Sequence, residues 1–221
     1  DNVTALVKLT SAMVFGGRTD QALNELERMA QNPATFLPVA ERTLDFYSEL
    51  RARGGVWAGQ SKVVRFLFDK AGAAMAEASK AALTAAEARQ ASENSINSQS
   101  TLASAENNVS NALMYRNDWS GCEAHARRAI ELDPSHSWAY GNLANALLFQ
   151  GRHAEARRIY RSHWQDSFNG WTLGGAILED FDRLTAVGIT HPDVERIKAE
   201  MGKLNKAPGD TTTGKPSPQK P

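Results

Sequence analysis

NALMYRNDWSGCEAHARRAIELDPSHSWAYGNLANALLFQGRHAEARRIY, residues 111–160, sits at the centre of one pattern stated twice. Eight and four residues before Gly151 stand Leu143 and Leu147; five, nine and twelve after it stand Ala156, Tyr160 and His163. The same template set on Asn117, 34 residues earlier, finds Val109, Leu113, Cys122, Ala126 and Ala129. Apolar residues four apart lay one stripe along a first helix. Gly or Asn takes the left-handed conformation that ends it. A small residue five positions on lets a second helix approach closely, and its own stripe faces back towards the first. Neither helix buries its stripe alone, so such hairpins stack.

The template extends outward from this centre. Set on Gly17 it finds Leu9, Met13, Ala22, Leu26 and Met29; set on Gly54 it finds Phe46, Leu50, Gly59, Val63 and Phe66. Residues 71–90 contain ten alanines, and from Met75 to Leu102 the only large aliphatic side chains are Leu83 and Ile96. Alanine favours helix, so the stretch reads as a helical connector, with a break in Ser92–Ser95 and Asn97-Ser98. Its lack of large apolar anchors predicts that the N-terminal hairpins move relative to the rest. Trp171 to Val187 carries Leu173, Ile177, Phe181 and Leu184 at helical spacing and stops at Gly188. A last short helix is expected to start around His191-Pro192, with Val194, Ile197 and Met201 as its stripe. From Asn205 onward Pro, Gly, Thr and Lys replace large apolar residues, which predicts a disordered tail. No stretch alternates as a half-buried strand does. The expected fold is all-α: an α-solenoid of helical hairpins over 1–70 and 103–168, an Ala-rich connector over 71–102, a C-terminal helical cap over 169–204, and a tail over 205–221.

Composition narrows the function classes. Lys and Arg number 25 and Asp and Glu number 25, so no global field attracts nucleic acid or anionic lipid. A single Cys excludes an internal disulfide framework, and no run is long enough to span a bilayer. A cytoplasmic setting is favoured. The Asp start, with no signal-like segment after it, suggests a mature form, an excised segment or a piece of a longer chain.

Trp119, Cys122, Ala129 and Leu132-Asp133-Pro134, followed by Tyr140, Leu143, Ala144, Gly151, Ala156 and Tyr160, resemble the tetratricopeptide repeat. Cys122, Ala126 and His163 depart from the usual residues. The resemblance implies a superhelix whose first helices line a concave groove for a partner protein, peptide or helix. In that register Asn107, Asn111, Met114 and Tyr115 line the groove from one repeat, and Trp138, Asn142, Asn145 and Phe149 from the next. Asn amides both donate and accept, which suits an extended peptide backbone; aromatic and Met side chains supply contact area. Asn111 and Asn142 also fall on the two Asn places of relatives that clamp a C-terminal carboxylate, but the basic places read Asn107, Thr172 and Ala176, so the clamp is not reproduced. The capping segment around Glu179-Asp180-Phe181 through Gly188 and His191-Pro192 also resembles the end of repeat regions in multidomain bacterial proteins, some with caspase-like or other effector domains.

Other residues weigh towards structure. Cys122 and His125 invite a nucleophile–base reading, yet Cys122 holds the buried small place of the repeat. Glu179, Asp180 and Asp182 read as a solvated helix face. Gly54-Gly55 and Gly174-Gly175 lack the Lys-Ser/Thr continuation of a phosphate loop. Arg127, Arg128, Arg157, Arg158 and Arg161 form a basic band on the second helices. No catalytic residue, metal ligand or cofactor is expected. The reading is a non-catalytic protein-interaction scaffold. Its rivals are a regulatory region bound to a catalytic domain of its own longer chain, and an RNA-binding helical repeat.

Overall fold

A computed structural model describes residues 2–32, 34–36, 38–40, 42–43, 46, 60–168, 170–186 and 188–202. The hairpin anchor at Gly54 and the tail expected from Asn205 lie outside these. Helices α1 (Asn2–Phe15) and α2 (Thr19–Ala30) are followed by helical residues between 34 and 46 and by the long α3 (Gln60–Glu93). Then come α4 (Ile96–Met114), α5 (Trp119–Leu132), α6 (Ser137–Phe149), α7 (His153–His163), α8 (Leu173–Ala186) and α9 (Val194–Met201). The fold is all-α, sequential helices packed as hairpins. The anchors behave as their spacing demands: φ is +74° at Gly17, +59° at Asn117 and +80° at Gly151. At each, the next amide reaches back to the preceding helix, as Arg152 N does to Leu147 O at 2.8 Å.

Two details differ from expectation. Trp171 and Thr172 do not open the helix; they pair antiparallel with Phe168 and Ser167 in a two-residue ribbon, β1 with β2, and α8 starts at Leu173. The last helix starts at Val194, after a turn holding Pro192, with Asp193 at its cap position. The Ala-rich stretch is one continuous helix to Glu93, packed on α4, with Ala71, Ala76 and Ala86 buried. The break falls at Asn94, whose φ is +44°, and is sealed by a reciprocal Ser95–Ser98 capping box. The boundary drawn between 102 and 103 falls inside α4.

Among the described residues two large apolar cores result, beside a small cluster of Ala86, Leu102 and Ala105 between α3 and α4. One gathers Val14, Leu26, Phe36, Val63, Leu67 and Met114. The other gathers Leu147, Tyr160, Trp164, Ile197 and Met201 around α6, α7 and α9. α8 joins them, sending Ile177 and Phe181 into the second and Leu184 into the first. Its seat needs Gly174: a Cβ there would stand 2.4 Å from the Trp164 ring.

Candidate protein-interaction surface

The eight residues placed in the groove divide into two groups. Met114 and Asn145 are fully buried, and Asn107 and Asn142 nearly so. As a free surface these four are corrected: Asn142 Nδ2 donates to Asn107 Oδ1 at 3.0 Å, tying α4 to α6. Asn145 Oδ1 accepts from the Tyr160 hydroxyl at 2.9 Å, and its Nδ2 contacts Met114 Sδ and Asp180 Oδ2, each at 3.5 Å. For Asn107 and Asn142 the physical reason is the α4–α6 contact itself; for Asn145 it is α8. It packs against α6, so that Asn145 faces a helix of its own chain instead of solvent.

The other four keep part of their surface. Tyr115 stands edge-on to Phe68, 5.0 Å between centroids, and donates to Asp180 Oδ1 at 3.2 Å. Phe149 stacks on Trp119 at 4.1 Å. Trp138 packs half-buried against the second core. Asn111 is half-buried, and its amide has no partner among the described residues. It ends a polar stripe on α4 that the groove assignment missed: Asn97, Thr101, Ser104 and Asn108 are exposed at helical spacing. The Asn97 and Asn108 amides are likewise unpartnered among the described residues. The Asn-Ser-Thr content was visible in the sequence; its exposure depends on which side α3 and α6 cover.

The acidic trio of α8 also divides. Glu179 and Asp182 are exposed, but Asp180 turns inward. Burial pushes its carboxyl up to about 6, with Arg183 and the Tyr115 hydroxyl pulling the other way. The signal lay in the spacing: position 180 is three after Ile177 and four before Leu184, on the buried stripe.

Cys122 is buried, its Sγ 3.3 Å from Ser110 Oγ, and burial pushes the thiol up to about 12. His125 Nδ1 instead meets Glu106 Oε2 at 2.6 Å, so the two do not form a nucleophile–base pair. The basic band is mostly neutralised: Arg127 pairs with Glu123, Arg128 with Glu131, and Arg157 and Arg161 with Glu200. Between α5 and α7 it rims a cleft of about 420 Å³ lined by Ile130, Tyr140, Leu143 and Ile159.

One cluster had no precursor in the sequence reading. His153 at the start of α7 meets His191 and Asp193, which precede α9. His153 Nδ1 lies 2.7 Å from Asp193 Oδ2, and the two imidazole centroids are 5.0 Å apart. Burial, then the neighbouring His153, hold His191 below the ordinary imidazole range. His191-Pro192-Asp193 is a recognisable string, but its partner stands 38 residues upstream.

A family model described as tetratricopeptide repeat matches residues 125–158, from mid-α5 through α6 to mid-α7. No curated protein matches the chain, and no solved structure does. No helix of the described residues is long and apolar enough to cross a membrane.

Proposed function

We propose that this chain is a non-catalytic protein-interaction module that holds a peptide or helix of another protein on its first-helix surface. The carrying observation is the α4 stripe: three Asn amides at helical spacing, unpartnered among the described residues, beside a repeat-family match at 125–158. An amide both donates and accepts, so a row of them pairs with a partner's backbone without demanding a charge. Asn111 and Tyr115, with Trp138 and Phe149 as apolar neighbours, form the binding set. Asn107, Met114, Asn142 and Asn145 support it from beneath. The proposal takes 103–168 as the repeat unit, with α4 entering from 96, and 169–204 as its cap.

Affinity capture from the source cells tests this. Wild type is compared with an Asn108→Ala/Asn111→Ala variant of unchanged helicity. A partner held by the first and lost by the second is expected. A partner retained by both removes the stripe from the account.

One observation favours a second reading, that the inner surface works on a segment of its own polypeptide: α8 already packs there through Asp180, Tyr115 and Asn145. In that reading the occupant of the stripe is another domain of a longer chain. The stripe variant then loosens that domain instead of an external partner, which limited proteolysis of the longer protein reads out.

A further inference from the structure

We propose that His153, His191 and Asp193 form a binding site for a divalent transition-metal cation, Zn²⁺ being the ion their chemistry fits best. One ligand atom from each residue lies within 4.8 Å of the others; a tetrahedral ion at about 2.1 Å spaces its ligands by about 3.4 Å, so side-chain rotation would close the set around it. His153 Nδ1 carries the most telling geometry. It is shielded from water and 2.7 Å from Asp193 Oδ2, yet makes no directed hydrogen bond. Two atoms that close, each about 2.1 Å from a shared cation, subtend roughly 80° at it. A tetrahedral ion asks for roughly 109°, so binding widens the pair to about 3.4 Å and relieves the misdirected contact.

The surroundings hold the three in place. Asp193 Oδ1 is engaged by Arg196 at 2.9 Å, leaving Oδ2 for the ion. The Asp193 amide donates to His191 Nδ1 at 3.2 Å, which holds the imidazole beside Asp193; ligation through that nitrogen would exchange this bond for the metal. Phe149 covers His191 edge-on at 5.8 Å. All three residues are partly exposed, so water completes the coordination. Two imidazoles and a carboxylate favour borderline cations such as Zn²⁺ over Mg²⁺ or Ca²⁺, which prefer all-oxygen sites. The ion would clasp the start of α7 to the start of α9 and close the cap onto the last repeat.

The experiment is calorimetric titration of the tag-free full chain with ZnCl₂, paired with thermal unfolding with and without the ion. His153→Ala, His191→Ala and Asp193→Asn are compared with His136→Ala, which leaves the cluster untouched. Expected are one Zn²⁺ per chain, a raised melting temperature, and affinity lowered at least about tenfold by each cluster substitution but not by His136→Ala. Helicity of each variant is checked by circular dichroism. Should a cluster variant unfold, Co²⁺ bound to wild type gives a second readout, because imidazole ligation changes its visible absorption. Failure of wild type to bind Zn²⁺ or Co²⁺ at micromolar concentrations overturns the proposal. So does binding that survives all three cluster substitutions.

Discussion

Replacing Asp180 by Asn tests how α8 is seated. The Asp180 carboxyl sits between Tyr115, Asn145 and Arg183, with Glu179 adding like charge. Its folded value of about 6 lies above the ordinary 3.8, chiefly through burial. The native state therefore binds more protons than the unfolded chain between those values. This contribution to stability is full below about pH 4 and is lost as pH rises to about 6. A gap of about two pH units corresponds to at most about 3 kcal/mol; partial exposure of the carboxylate reduces this to about 1–2 kcal/mol. Asn keeps an acceptor for the Tyr115 hydroxyl and removes the charge. Urea unfolding followed by circular dichroism across the pH range should find Asp180→Asn more stable than wild type above about pH 7, by about that amount. Near pH 4 the advantage should vanish. Taking the difference between the two proteins cancels groups such as Glu123 and Asp133. Their lowered values add stability that is lost as pH falls. Parallel curves, or a less stable variant at neutral pH, would refute the reasoning and make the Asp180–Arg183 attraction the dominant effect.

Other expectations follow from single contacts. Gly174→Ala forces a Cβ to 2.4 Å from Trp164 and should cost about 1–3 kcal/mol by overpacking; thermal unfolding reads it, and an unchanged midpoint contradicts the close seat of α8. The Cys122 thiol, pushed up to about 12 and fully buried, should resist a thiol-specific reagent in the native protein and react once urea unfolds it. Native reactivity would show a core open around Ser110 and Asn142. Ser95→Ala removes the capping box between α3 and α4 and should cost about 1 kcal/mol. Hydrogen exchange should then rise first near 94–98.

The hairpins were legible because their rule is local. A left-handed anchor, a small residue five later and apolar residues at helical spacing concern neighbours within one turn or two. Gly17, Asn117 and Gly151 all take the required φ. What the sequence did not disclose was long-range. Asn145 and Asn111 are both asparagines on first helices, yet one is wholly buried against Tyr160 and Asp180 while the other keeps an amide with no partner among the described residues. Asn145 is enclosed by Met114, Tyr160 and Asp180 from α4, α7 and α8, which no local pattern announces. The same holds for Asp180, grouped by composition with Glu179 and Asp182 although its position on the Ile177–Leu184 stripe turns it inward. The short β1–β2 pairing was missed because two residues are too few for any alternation to register.

Site-specific photo-crosslinking in the source cells tests the central claim most directly. A photoreactive residue is placed at 111 on α4, and in a second protein at 128 on the outer face of α5. Residue 111 is half-buried on the polar stripe; residue 128 is exposed on the opposite helix of the hairpin. The account predicts a crosslinked protein partner at 111 and none at 128. Crosslinks confined to 128, or absent at 111 while a partner still copurifies, would contradict it.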